Sequence, residues 1–166
     1  DVILFGSSVR SNREPRDVDL CVIIPDHKEK NSLELVESLS LITGKLAEDY
    51  HINILNVSSF LAGNTLAKTL FSEGYSLKYD RPFSEIFGFK SKSIFRYSLK
   101  HYNTSKRVRF HYLLRGRYGV AGILKSVQGE LFSNGVIVIP TNKEDVLKTI
   151  LDHWKVPHKI IRVLYS

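Results

Sequence analysis

Methionine is absent from the 166 residues, and cysteine and tryptophan occur once each. Without Met the chain carries no initiator, so residues before Asp1 are expected to have been trimmed or left out. The single thiol, Cys21, has no partner for an internal disulfide, and no histidine spacing pairs it into a zinc site. A disulfide-stapled secreted scaffold and a zinc finger are therefore excluded, and a reducing, cytoplasmic location is expected. No apolar run approaches the roughly 18 residues of a membrane span. The longest, around Gly135–Pro140, is far too short, and mean hydropathy is −0.11, so no membrane partner is expected. The first residues do not resemble a signal peptide, because Asp1 opens straight into an apolar strand. Internal repeats and low-complexity tracts are also missing. The 43% hydrophobic and 25% charged residues that are present suffice for a buried core in one ordinary domain or two small ones.

Charge is unevenly spread. Residues 1–80 carry eight Lys/Arg against twelve Asp/Glu, and residues 81–166 carry sixteen against five. That asymmetry predicts two jobs: an acidic domain over 1–80, a linker over 81–93 containing Pro82 and Gly88, and a basic domain over 94–166. A strongly basic half is suited to nucleic acid or another polyphosphate, its plain alternative being a solvated basic face.

Hydrophobic periodicity predicts the elements. Val2–Phe5 reads as a buried strand stopping at Gly6-Ser7, and 8–16 as a loop or a short helical turn. Val18, Leu20, Val22 and Ile24 alternate and predict a strand ending at Pro25. A helix from Asn31 or Ser32 to about Asp49 follows, with Leu33, Val36, Leu39, Leu41, Ile42 and Leu46 at helical spacing. Next come a strand over His51–Val57, a helix from Phe60 to about Ser72 capped by Ser58-Ser59, and a short strand over Ser76–Tyr79. In the basic half, Ser105–Arg115 predicts a helix with Val108, Tyr112 and Leu113 facing inward. Ser133-Asn134-Gly135 within Leu131–Ile139 predicts a hairpin. Thr141 or Asn142 caps a helix to about Trp154, with Val146, Ile150 and Trp154 spaced by four, and Lys159–Tyr165 forms a last strand. The order suits a small α+β domain, or a winged helix-turn-helix with Asn134-Gly135 at the wing tip.

The stretch that carries chemistry is Phe5–Leu20, a strand, then Gly6-Ser7, then nine residues, then Asp17-Val18-Asp19-Leu20. Aspartates at i and i+2 of a strand share a face, and two like charges held so close call for a cation between them. Mg²⁺ takes one or two carboxylates and completes its shell with substrate phosphates. Gly6 lets backbone approach a phosphate, Ser7 offers an amide and a hydroxyl, and Arg10 offers a charge-assisted contact.

This arrangement resembles the signature of the polymerase beta nucleotidyltransferase superfamily, most closely its small minimal domains, over roughly residues 1–80. The resemblance implies an α+β fold, a mixed sheet with flanking helices, and a Glu-Gly turn matching Glu73-Gly74. It also implies Mg-dependent transfer of a nucleoside monophosphate from an NTP, with Mn²⁺ as a substitute metal. Asp17 and Asp19 would be catalytic metal ligands, Gly6 and Ser7 triphosphate contacts, and Arg10 a further phosphate contact. Two departures follow from the residues. The third carboxylate of the family is expected mid-strand in His51–Val57, where Asn53 stands as a neutral third ligand; Asp49 and Asp80 are substitutes. Arg16, rather than Ser, precedes Asp17.

Competing motifs fail: there is no GxxxxGK[ST], no GxSxG at Ser7, and the glycines of 116–122 have the wrong spacing for a dinucleotide fingerprint. In the basic half no family is apparent. Lys106, Arg107, Arg109, Arg115 and Arg117, interleaved with aromatic residues, are the expected nucleic-acid contacts. Three functions stay open: a nucleotidyltransferase acting on RNA, DNA, protein or a small molecule; a catalytically weakened module that binds nucleic acid or a protein partner; and an antitoxin-like transferase that modifies a partner protein.

Overall fold

The computed structural model describes residues 1–10, 17–45 and 49–166. The chain forms two compact units, 1–90 with 164–166, and 91–163. It is α+β with a mixed sheet and flanking helices. Arg16 and the expected helix end at 46–48 lie outside the described residues.

In the first unit, strands β1 (Val2–Phe5), β2 (Asp17–Ile24) and β3 (Asp49–Asn56) stand in the order β3-β2-β1, followed by the two-residue strands β4 (Tyr75–Ser76) and β5 (Arg81–Pro82). β1 runs antiparallel to β2 and β4, while β3 runs parallel to β2 after a crossover through helix α2 (Ser32–Thr43). The short helix α1 (Ser7–Arg10) follows Gly6. α2 ends near Gly44, whose N–H bonds back to the Ser40 carbonyl, well before Asp49. Its apolar residues seat only in part: Val36 and Leu39 are half-buried, while Leu33 is 77% and Leu41 73% exposed, and the helix fully buries no residue.

The helix expected over 60–72 is two, α3 (Val57–Leu61) and α4 (Thr65–Glu73). They part because Asn64 caps α4 by accepting from the Ala67 N–H at 2.8 Å, while Asn56, not Ser58-Ser59, caps α3 by accepting from Ser59 N–H. Both helices cover the sheet face of Ile3, Cys21 and Leu55 with Phe60, Ala67 and Leu70. The predicted linker is mostly structured. Arg81–Pro82 forms edge strand β5, and Phe83–Ile86 forms helix α5. Phe83 is 4% exposed and packs edge-on against Phe60 at 5.6 Å, so apolar burial outweighs the turn signals of Pro82 and Gly88. The strand expected over 76–79 is cut to Tyr75–Ser76 because 77–80 turns back into β5.

Asp26, in the 3₁₀ segment Asp26–Asn31, accepts from both the N–H and the hydroxyl of Ser58 at 2.9 Å. These donors stabilise the carboxylate and hold its pKa below the ordinary range. A depressed carboxylate contributes stability that is present above the unfolded value of about 3.9 and lost as pH falls through the folded value. Ser58→Ala keeps the N–H and removes the hydroxyl, so it is expected to raise the Asp26 midpoint part of the way, read by the carboxyl carbon shift in an NMR titration; an unmoved midpoint would refute the hydroxyl's share.

The second unit is built on β6 (Lys90–Tyr97), β9 (Glu130–Ser133), β10 (Val136–Pro140) and β11 (His158–Tyr165), ordered β11-β6-β10-β9. Asn134-Gly135 turns the β9–β10 hairpin as predicted, but β10 is an interior strand flanked by β6 and β9, so the hairpin belongs to the sheet core instead of a projecting wing. Helices α6 (Thr104–Arg115) and α8 (Glu144–His153) pack on it. Asn103 caps α6, and the inward face is Phe110 and Leu114, both fully buried, while Val108 and Tyr112 are exposed. Tyr112 stays at the surface under the Arg117 guanidinium, 4.4 Å from its ring. On α8 the buried pair is Leu147 and Leu151, one position on from the predicted stripe.

The glycine-rich stretch 116–122 folds into a small hairpin, β7 (Gly116–Arg117) and β8 (Val120–Ala121), followed by helix α7 (Ile123–Ser126). A Cβ at Gly116 would sit 2.0 Å from the Val120 carbonyl oxygen, so this glycine is there for backbone contact with the chain itself.

Candidate functional site

The site lies where β1 turns into α1 beside the start of β2. Phe5 pairs with Asp19, so the chain leaves β1 directly over that carboxylate. Gly6 has φ +75, and a Cβ there would lie 2.2 Å from Asp19 Oδ2. Only glycine fits both constraints. Gly6→Ala is expected to cost more than about 1 kcal/mol from the left-handed backbone alone. The clash adds to that, so Asp19→Ala should recover part of the loss. Urea midpoints of the two single variants and the double variant test this, and strict additivity would show that the contact is absent.

The turn is tied down locally. Ser8 donates its hydroxyl to the Phe5 carbonyl at 2.9 Å. Arg10 Nε donates to the Gly6 carbonyl at 3.2 Å and stands 3.5 Å from the buried Glu73 carboxylate. Arg10, expected from sequence as a phosphate contact, is thus a clamp between the turn and the end of α4. Glu73-Gly74, noted in the sequence, supplies the other jaw. Ser7 is half-buried at the first position of α1.

Asp17, Asp19 and Cys21 project to one sheet face. Their neighbours in β3 are Asp49, His51 and Asn53 respectively. Asp17 is exposed and the Asp19 side chain is 30% exposed, whereas Cys21 is fully buried. Sequence alternation placed the buried side of β2 at Val18 and Leu20; these are half-buried, and the aspartate face runs into the deeper core two residues on. Burial pushes the Cys21 thiol up to about 11, which removes it as a nucleophile near neutrality.

Asn53, the expected third ligand, is exposed and lies beside Cys21, two residues along the strand from the residue flanking Asp19. That residue is His51, whose Nδ1 is 3.5 Å from Asp19 Oδ1. Sequence reading passed over His51 because the β2–β3 register is invisible before the strands pair. Asp49, beside Asp17, is the nearer of the two substitute carboxylates. Asp80 accepts a hydrogen bond from the Tyr75 hydroxyl at 2.8 Å in the β4–β5 turn. Among the described residues, no three His, Cys, Asp or Glu side chains converge as a metal cage. Two carboxylates suit a hard divalent cation that shares its shell with phosphates, whereas the imidazole beside them suits later divalent metals better.

The five basic candidates of the second unit have different surroundings. Lys106 Nζ lies 4.1 Å over the Tyr102 ring, and Arg117 is sandwiched by Tyr112 and Tyr118. Arg107 donates to the Leu99 and Lys100 carbonyls, both at 3.2 Å, which makes it a brace for the loop before α6. Arg109 and Arg115 are exposed on α6. No family model matches the chain, and neither a curated protein nor a solved structure matches it.

Proposed function

We propose that the first unit is a nucleotidyltransferase of the polymerase beta type, transferring a nucleoside monophosphate from an NTP to an acceptor hydroxyl. The observation that carries this reading is the Gly6 turn seated against Asp19, with Asp17 on the same face. Backbone and hydroxyl donors of Gly6 and Ser7 would hold the triphosphate, and Arg10 would hold the turn that presents them. Asp17 and Asp19 would hold Mg²⁺, with His51 at its margin. Imidazole is a poorer ligand for Mg²⁺ than for later divalent metals, so Mn²⁺ belongs in every assay. The bound cation would offset charge on the β- and γ-phosphates.

In the transfer, the acceptor oxygen forms a bond to the α-phosphorus in line with the α–β bridging P–O bond, which breaks. Pyrophosphate leaves with the electron pair, and the hydroxyl proton passes to solvent. The rate comes from positioning and charge stabilisation more than from covalent chemistry. Nucleic acid is the acceptor favoured by the basic second unit. Full-length chain incubated with each radiolabelled NTP and RNA, DNA or protein acceptors, in Mg²⁺ and in Mn²⁺, is expected to label one acceptor class. Protein labelling would point to the antitoxin-like variant. No label on any acceptor would sink the enzyme reading.

A second reading, a catalytically weakened module that binds nucleic acid or a protein, is favoured by one observation: no described carboxylate of β3 flanks Asp19, where His51 stands instead.

A further inference from the structure

The cationic groups most suited to phosphate are not those on the open face of α6. Two clefts flank the end of β6, and both are lined by Tyr97 and Ser98. The first, of about 350 Å³, adds Lys100, Arg107 and His111, with the Asn134-Gly135 hairpin tip on its far side. The second, of about 380 Å³, adds Arg96 and Lys159 beside Pro157 and His158. Among the described residues, neither is lined by Asp or Glu.

The ridge between them is fixed. Tyr97 N–H donates to the Gly135 carbonyl at 2.7 Å, and Ser98 N–H donates to the Pro157 carbonyl at 3.0 Å. One cleft wall is braced as well, since Arg107 holds the carbonyls of Leu99 and Lys100. Tyr97 itself is buried, with its ring edge-on to Phe110 at 5.6 Å, so the ridge does not collapse into either cleft.

We infer that these adjoining clefts form the path of a single nucleic-acid strand, with phosphodiesters seated beside Lys100 in one cleft and beside Arg96 and Lys159 in the other. Both clefts carry positive charge without an internal carboxylate, which suits a repeating anion better than one isolated phosphate. A single strand bends freely over the ridge, whereas a duplex, with a persistence length of about 150 base pairs, does not follow two concave sites so close together. The inference rests on the nucleic-acid reading of the second unit and not on nucleotide transfer.

Its test contains no NTP and no divalent metal, so failure of transfer and failure of binding are read separately. Fluorescence anisotropy of a labelled twelve-nucleotide single strand with the full chain, across about 50 to 200 mM salt, gives the slope of log affinity against log salt. Lys100→Gln and Lys159→Gln are each expected to reduce that slope by about 0.7, and together by about twice as much. Lys148→Gln, exposed on α8 and outside both clefts, is expected to leave it unchanged. All three sites are exposed, and circular dichroism melts check that the variants stay folded. Equal slopes for wild type and the two lysine variants would overturn the path. So would a slope loss for Lys148→Gln as large as theirs, or a duplex of the same sequence binding as tightly as the single strand.

Discussion

Arg162→Met is expected to lower stability of the second unit by about 2–3 kcal/mol, because it strands a buried carboxylate although Arg162 itself is 30% exposed. Its partner is Glu144, which opens α8 and is only 3% exposed. Arg162 grips that carboxylate two-handed, Nη2 to Oε1 at 2.7 Å and Nε to Oε2 at 2.9 Å. Ser93 donates to Oε2 at 2.6 Å, and Thr141 links Ser93 to Ser91. The set pins β6, the start of α8 and β11 together through side chains alone.

Removing the guanidinium leaves a desolvated carboxylate without its charged partner, while removing both charges does not. The double variant Glu144→Leu/Arg162→Met is therefore expected to lose less than Arg162→Met alone. Trp154, the single tryptophan, packs against Phe110 in this core, so its fluorescence during urea unfolding reports this unit specifically. A single variant within about 1 kcal/mol of wild type would mean that the pair is solvated, as surface pairs are.

This network shows what the sequence could not convey. Glu144 and Arg162 are eighteen positions apart, with nothing in their local patterns to mark either as buried. The predicted helix and last strand were correct in kind, and Val146 and Trp154 of the predicted stripe do pack against the core, yet the fully buried positions are Leu147 and Leu151. The same failure occurred in α6, where Phe110 and Leu114 displaced Val108 and Tyr112. Periodicity gives a helix but leaves its rotation open when apolar residues lie on several faces. Strands fared better: β1, β2, the 51–56 part of β3, the Asn134-Gly135 hairpin and most of β11 stand where alternation and turn residues placed them.

At the candidate site, local chemistry was legible and lateral chemistry was not. The Gly6 turn and the Asp17/Asp19 pair are written in adjacent residues. The neighbour of Asp19 depends on the β2–β3 register, and a shift of two residues separates Asn53 from His51. The tie from Arg10 to Glu73 was hidden for a similar reason, since Glu73 reaches it only through tertiary packing. The boundary between the units falls inside the expected linker, at 90/91, but 81–89 is not open chain, because Phe83 packs in the first core with Phe87 edge-on to it.

Asp19→Asn is expected to reduce the proposed nucleotide transfer on the order of a hundredfold or more, the scale of losing one preorganised charged contact to the reacting phosphates. Stability should move by less than about 1 kcal/mol, because the Asp19 side chain is 30% exposed and its 3.5 Å pairing with His51 is a surface interaction. Asn keeps the shape that lies against Gly6, so a large loss of stability would instead make the carboxylate structural and remove its metal role. The companion substitution is His51→Asp, which places a third carboxylate beside Asp19 in the observed register. It should raise the Mg²⁺-supported rate and lower the metal concentration for half-maximal activity. Asn53→Asp, beside buried Cys21, should do neither. Initial rates across a Mg²⁺ series for the wild type and these three variants separate the cases. A gain from Asn53→Asp without one from His51→Asp would show that the catalytic face is registered two residues deeper than the β2–β3 pairing indicates.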